Sequence, residues 1–309
     1  MSVQIRLERY EGNPILKPKK DSAWENLNVS NAGVAIHDGA VHLLYRAEGE
    51  ERRLGPGSWP VTRLGLAISR DGFNIDYRGP DPVLDVIRGE PNYEEFGIED
   101  PRISKIGDTY YIVYTALSRF GAWGDKLALA TTRDFKTFER KGLLMEDIEQ
   151  RTSGLLPEKI NGEYVLFHRI MPNAWISYSK DLKEWHGSRV FMRTHIGAWY
   201  EKKMGIGAPP IKTAKGWLLF YHGVDRNNRY GLGIALLDLH DPSKIIKNQE
   251  EPILVPEEDY EKEGFISNVV YTCGAVEKDG RYLVYYGCAD RVLAVAGVSV
   301  EEVNRFIGL

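Results

Sequence analysis

Only two cysteines, Cys273 and Cys288, occur in this chain of 309 residues. That is too few for a disulfide framework, and both fall in apolar strand contexts that suit buried thiols. No run of apolar side chains approaches the ~20 needed to span a bilayer, so no membrane association is expected. The N-terminal MSVQIRLERYEG has no apolar core of the kind a secretory signal requires, and a cytoplasmic location is expected. Surplus positive charge is missing as well. Forty Lys and Arg stand against 44 Asp and Glu, for a formal net charge of −4, and no basic stripe with interleaved aromatics offsets this, which argues against a nucleic-acid partner. No metal-ligand spacing and no glycine-rich nucleotide loop is present, so neither metal nor organic cofactor is expected. No Ser/Pro/Gly-rich linker interrupts the chain, and residues 1–309 read as one domain.

What the sequence does have is one hairpin written five times: DGAVHLLYR, GDTYYIVYT, NGEYVLFHR, KGWLLFYHG and DGRYLVYYG. Each is a turn containing Gly, Asp, Asn or Lys followed by a strand rich in Tyr, Val, Leu and Phe. Aligned on the turn, the residue six places on is Tyr45, Tyr114, His168, His222 or Tyr286. Successive copies lie roughly 55 to 70 residues apart, against about 40 to 50 for a standard propeller blade, which leaves room for functional loops.

A third strand follows in every unit: Leu64 to Ser69, Leu127 to Thr132, Trp175 to Ser179, Gly231 to Leu237 and Leu293 to Val298. The first three lead into SRD, TRD and SKD turns. Pro82-Val83-Leu84 and Pro252-Ile253-Leu254 look like outer strands, whereas the last unit runs into VSVEEVNRFI, which suits a short helix. An orphan Pro14-Ile15-Leu16 stands at the N-terminus and is expected to close the last blade. Solenoid repeats are shorter and more regular, so the expected fold is all-β, a five-bladed β-propeller whose last blade is closed by the N-terminal strand.

In an antiparallel hairpin the start of the first strand and the end of the second lie together, opposite the turn. At those ends stand Asn31, the GIEDPR run from Gly97 to Arg102, Arg151, Lys203, Arg46, His168 with Arg169, His222 and Asp290. The register thus brings acids, cations and imidazoles from different blades toward one mouth. Each has a plainer reading. An acid before proline is often a turn residue, and Glu99 could serve in place of Asp100. His168 and His222 could be hydrogen-bonded core histidines, the arginines rim charges, and Tyr45 and Tyr286 core aromatics. Convergence on one end of the hairpin favours a site.

The long ordered segments GIEDPR, LLPEKINGEYVLFHR, WISYSKDLKEW, KMGIGAPPIKT, GWLLFYHGV, NVVYTCG and YYGCAD resemble the inverting β-mannoside phosphorylases of glycoside hydrolase family 130 along nearly the whole chain. The resemblance implies that Asp100 is the general acid, its proton passing through a mannose hydroxyl. It also implies that Arg151, Arg169, Lys203 and His222 surround inorganic phosphate, with Arg46 close by, and that Asn31, Arg102 and Asp290 bind the mannosyl group. Glu99 beside Asp100 would help keep it protonated, and Tyr45, Trp123 or Trp199 could stack on sugar faces.

An inverting hydrolase needs two carboxyl groups, whereas phosphate is already an anionic nucleophile and needs fixed cations instead. One acid facing several cations is the pattern of a phosphorylase, and the resemblance implies that the reaction turns a non-reducing-end β-mannoside and phosphate into α-mannose 1-phosphate. A β-1,4-linked mannooligosaccharide, mannosyl-glucose or mannosyl-N-acetylglucosamine is the expected substrate. A hydrolase on the same scaffold would need a second carboxylate such as Glu201 or Asp225, and a non-catalytic sugar-binding propeller would need no acid at all. A segment such as Lys17 to Glu25 could bridge protomers of a homo-oligomer.

Overall fold

A computed structural model of the protein describes residues 3–53, 59–87, 92–118 and 124–309, without the side chains of residues 52, 53 and 59. Three of the five hairpin turns are Asx-Gly pairs with positive φ at both residues: Asp38 and Gly39 (48° and 76°), Asn161 and Gly162 (50° and 82°), Asp279 and Gly280 (49° and 77°). This primed geometry matches the right-handed twist of the flanking strands, and Asx-Gly tolerates it best.

The chain opens with β1 (Glu8–Arg9). The first blade is β2 (Asn28–His37), β3 (Ala40–Arg53), β4 (Trp59–Ser69) and β5 (Tyr77–Arg78). The second is β6 (Gly97–Ile106), β7 (Thr109–Leu117), β8 (Asp125–Thr132) and β9 (Glu139–Leu144). The third is β10 (Arg151–Leu155), β11 (Tyr164–Ile170), β12 (Asn173–Ser179) and β13 (His186–Met192). In the fourth, β14 (Lys203–Ile206) and β15 (Ile211–Lys212) both pair with β16 (Trp217–Val224), which is followed by β17 (Tyr230–Leu237) and β18 (Ile245–Asn248). After α1 (Asp259–Lys262) come β19 (Val270–Lys278), β20 (Arg281–Cys288), β21 (Val292–Ser299) and α2 (Val300–Ile307). Inner strand β2 packs beside β6 and β19, β6 beside β10, and β10 beside β14, while β16 and β17 pack beside β19. The ring closes, and the fold is a five-bladed β-propeller.

The N-terminus closes it. Glu8 and Arg9 pair antiparallel with Gly297 and Ala296, and the Asn13 side chain both donates to Val295 O (2.8 Å) and accepts from Val295 N (3.0 Å). Leu16 bridges Leu293, as expected of the Pro14-Ile15-Leu16 run. Arg9 also reaches beyond the sheet: its Nε and Nη2 donate to the two carboxylate oxygens of Glu261 in α1 (2.8 and 2.9 Å). Glu261 is fully buried and accepts a further bond from the Tyr286 hydroxyl (2.9 Å). The other two proline-led runs are shorter than expected. Leu84 and Leu254 make isolated bridges to Leu64 and Leu232, and the outermost strands are β5 and β18 instead. A residue without an N–H cannot carry a ladder outward.

The SRD, TRD and SKD turns share one mechanism. Oδ1 of Asp71, Asp134 and Asp181 accepts two backbone N–H groups each, at 2.8 to 3.0 Å, while Ser69, Thr132 or Ser179 takes a third. Helix α2 forms where VSVEEVNRFI predicts it. Ser299 and Glu302 make a reciprocal capping box, Gly308 ends the helix at φ 82°, and Val303 and Phe306 join the core between the last two blades. Of the segment proposed to bridge protomers, Glu25 is buried beneath the first blade rather than exposed, because Tyr45 and Arg78 donate to its carboxylate.

The inner strands are irregular at corresponding places. Register shifts fall between Ser30 and Gly33 in β2, Glu99 and Arg102 in β6, Arg151 and Gly154 in β10, and Thr272 and Gly274 in β19. Asn31, Asp100 and Thr152 sit inside the first three with φ of 49°, 52° and 61°. Such a bulge turns a side chain out of the strand's ordinary alternation, and left-handed backbone at non-glycine residues is stored where the surroundings impose it. The neighbouring inner strands come so close that a Cβ on Gly33 would lie 2.4 Å from Pro101 O.

Candidate active site

Asp100 is nine-tenths buried at the centre of an acid frame. Its Oδ1 accepts from Asn31 Nδ2 (2.8 Å) and lies 3.3 Å from Arg46 Nη1. Arg46 is shared among four carboxylates, with Asp290 at 3.3 Å, Glu48 at 3.6 Å and Glu99 at 3.8 Å besides. Glu99 also binds Arg151 Nη1 (3.1 Å), and Arg151 Nε binds Asp125 (2.6 Å). Gly287 leaves room for this frame, since a Cβ there would lie 2.0 Å from Asn31 Oδ1.

The two adjacent carboxyls respond differently to the same burial. Desolvation pushes Glu99 up to about 7 against the pull of Arg46 and Arg151. It pushes on Asp100 too, but Arg46, Arg102 and the Asn31 donor outweigh it and hold Asp100 below the usual carboxylate range. Asp290 is raised by burial despite Arg46. In the ligand-free site Glu99 is therefore the more readily protonated of the two, and Asp100 takes up a proton only when its surroundings become more negative.

A second group faces this frame. Arg169 is buried, and its Nη1 lies 3.4 Å from His222 Nε2. A guanidinium can only donate, so Nε2 accepts and the imidazole proton sits on Nδ1. His222 is neutral, its pKa pushed far down by burial and then by Arg169, Arg102 and Lys203. Among the described residues no carboxylate pairs with Arg169, and its Nε has no hydrogen-bond partner. Among the described residues Lys203 forms no ion pair either; burial, Arg169 and Arg151 bring its pKa down to about 8 against the more distant pull of Asp290. Buried cations without counter-ions are costly unless a ligand anion completes them.

Asp100, Glu99, Asn31, Arg46, Arg151, Asp290, Arg169, Lys203 and His222 thus converge, as the register predicts. Arg102 converges as well, although its donors are largely occupied. Nε binds Gly207 O (2.5 Å), Nη1 binds Asp100 O (3.1 Å), and Nη2 reaches Ile206 O (3.3 Å) and the Tyr271 hydroxyl (3.0 Å). It fixes the backbone of the acid and supplies positive charge from below. Cys273 and Cys288 are buried free thiols, as expected.

Tyr45 does not join. Its ring packs against Trp24 and its hydroxyl donates to Glu25 (2.7 Å), because strand alternation sends it to the face opposite Arg46. His168 and Tyr286 are core residues too. His168 is held by Gln150 (2.7 Å) and Ser177 (2.8 Å). Trp199 stacks on Tyr221 and donates to Glu250 O, lining a separate cleft that also contains Glu201 and Asp225. Glu201 is clamped by Arg226 and Asp225 caps its own turn, so neither opposes Asp100. Trp123 lies outside the described residues.

Five residues at the site escape sequence reasoning: Glu48, Asp125, Thr152, Tyr230 and Tyr271. Glu48 alone had a signal, since it shares the strand face of Arg46 two residues earlier. Above the frame, a cavity of about 330 Å³ is lined by Arg46, Glu48, Glu99, Arg151 and Asp290, with Phe265 and Ile266 at its rim. A larger cleft of about 610 Å³ between the second and third blades contains no member of the cluster.

The profile of the family described as "beta-1,4-mannooligosaccharide phosphorylase" matches residues 3–308. A "Beta-1,2-mannobiose phosphorylase" of Thermoanaerobacter sp. (strain X514) is 45% identical, covering 97% of this chain and 99% of its own. A "1,2-beta-oligomannan phosphorylase" of the same strain is 42% identical with the same two coverages. Among solved structures, a beta-1,2-mannobiose phosphorylase from Listeria innocua in complex with beta-1,2-mannobiose superposes with a TM-score of 0.87 at 31% identity, covering 98% of this chain and 99% of that one. With the fold, the segments from GIEDPR to YYGCAD and a match over nearly its full length, the chain belongs to glycoside hydrolase family 130.

Proposed function

We propose that this protein is an inverting β-mannoside phosphorylase acting on β-1,2-linked mannosides. The observation that carries the reading is the Arg169 guanidinium, buried with no carboxylate partner among the described residues and set beside Lys203 and His222, across from Asp100. Inorganic phosphate is the co-substrate, held by Arg169, Lys203, His222 and Arg151 in line with the anomeric carbon. A phosphate oxygen bonds to that carbon from the α face as the β-glycosidic C–O bond breaks. The bonding pair leaves with the glycosidic oxygen, which receives the proton carried by Asp100. The products are α-mannose 1-phosphate and the shortened sugar.

Arrival of phosphate supplies the negative charge that Asp100 needs to become an acid, and a bound mannosyl unit excludes the water that stabilises its carboxylate. Asn31, Asp290 and Glu99 remain to hold mannose hydroxyls. The β-1,2 linkage is favoured over the expected β-1,4 by the relatives above 40% identity, which are named for β-1,2 substrates.

The direct test is incubation with β-1,2- and β-1,4-mannobiose, each with and without phosphate. α-Mannose 1-phosphate is expected from the β-1,2 disaccharide only when phosphate is present. Free mannose released without phosphate would make the protein a hydrolase, and faster turnover of the β-1,4 disaccharide would reverse the linkage.

The pH dependence follows from Lys203. Its folded pKa of about 8 is depressed, so the ammonium is present below that value and lost as pH rises through it. KM for phosphate is expected to climb above about pH 8, whereas KM for the disaccharide stays nearly flat. A phosphate KM unchanged between pH 7 and 9.5 would remove Lys203 from the phosphate site.

A further inference from the structure

Among the described residues, Arg46 has four carboxylate partners and Arg151 has two. Lys203 is held otherwise. Its Nζ lies over the ring of Tyr230, 5.2 Å from the centroid. The register delivers this contact, since Lys203 pairs with Val224 on β16 and Val224 pairs with Tyr230 on β17, so the two side chains flank one residue across three adjacent strands. Tyr230 is fixed in turn. Its N–H donates to Asn268 O (3.0 Å), and its ring meets Tyr271 edge to face at 6.3 Å. Tyr271 itself is bonded to Arg102 and Thr152 (3.0 Å each) and packs against His222 at 4.4 Å.

A ring face and a carboxylate hold an ammonium with different consequences. A carboxylate neutralises the charge and competes with an incoming anion for the same donors. The quadrupole of an aromatic ring attracts the cation while leaving its net charge and its outward N–H donors free. We infer that Tyr230 is a positioning residue for phosphate, its ring holding the Lys203 ammonium beside Arg169 in place of a carboxylate so that the charge stays available to the anion. This rests on the phosphorylase reading above and adds to it the device that keeps the anion site unneutralised.

Tyr230→Phe keeps the ring, and Tyr230→Leu removes it while keeping an apolar side chain. Binding of inorganic phosphate to each folded variant is measured by titration calorimetry, alongside KM for phosphate and for the disaccharide. Tyr230→Phe is expected to stay within about twofold of the parent. Tyr230→Leu is expected to weaken phosphate about tenfold, within the range of a desolvated cation–π contact. It should leave the disaccharide KM within about twofold, and the alkaline rise of the phosphate KM should begin at lower pH.

In a Lys203→Ala background the Leu change is expected to have no further effect on phosphate, a non-additivity that general loosening of the fold would not produce. Parent-like phosphate binding by Tyr230→Leu, equal losses in Phe and Leu, or additive losses with Lys203→Ala would each overturn the inference while leaving phosphorolysis intact. A parent protein that binds no phosphate would overturn both readings together.

Discussion

Asp100→Asn is expected to lower phosphorolysis by at least about a hundredfold, the usual contribution of a positioned general acid. The substitution is nearly isosteric, and the amide oxygen still accepts from Asn31, so the frame around Arg46 should keep its geometry. What is lost is the transferable proton. The effect should therefore fall mainly on kcat and should shrink with an aryl β-mannoside, whose leaving group departs without protonation. Glu99→Gln is the control. Glu99 carries the raised pKa, near 7, yet its oxygen is engaged by Arg151 (3.1 Å) and faces Arg46 (3.8 Å). Its replacement is expected to reduce turnover about tenfold or less, through Arg151 and the loss of a neighbouring negative charge. A larger loss in Glu99→Gln than in Asp100→Asn would exchange the two roles.

The second large effect concerns stability. Arg9→Ala should destabilise the fold by about 3 kcal/mol, because removing one partner of a buried pair leaves the other's charge uncompensated. The Glu261 carboxylate would keep the Tyr286 hydroxyl and two backbone donors, which places the change at the low end of the usual range. A fall in Tm of roughly 6 °C is expected, with a loss of similar size in Glu261→Gln, whose amide nitrogen would face donors that a carboxylate oxygen now satisfies. Glu261 is pushed up by burial, but the Arg9 hydrogen bond and the backbone donors hold it below 4.5. A depressed carboxyl contributes stability above its unfolded pKa and loses it as pH falls toward the folded one. The parent should thus lose Tm more steeply below about pH 4.5 than either variant. Equal acid sensitivity in all three would show that the pair contributes nothing.

The ring was legible because its signals are local. Asp38-Gly39 and Asn161-Gly162 announce their turns, and alternating strands follow within a few residues. Closure by the N-terminus was legible by subtraction, since one blade lacked a strand and one strand lacked a blade. The site was legible only as far as hairpin register reaches. It brought Arg169 to the cluster but set its neighbour His168 there too, and His168 lies in the core, because neighbours on a strand point to opposite faces and the repeat does not say which one lines the mouth. Tyr230 and Tyr271 are positioned by pairing across strands distant in sequence, and no local pattern marks that. The bulges at Asn31, Asp100 and Thr152 change which way a side chain points without changing residue type.

The meeting of both ends in one blade bears on how the protein is made. Asp290 and the β21 edge emerge late from the ribosome, long after Arg46, Asp100 and the β1 segment that must pair with that edge. Until then the nascent chain carries an incomplete acid frame and a waiting strand, so a product truncated before the last blade is expected to be inert. The open β21 edge offers the same pairing to the β1 segment of another copy, against which the chain's own segment competes with the advantage of its tether.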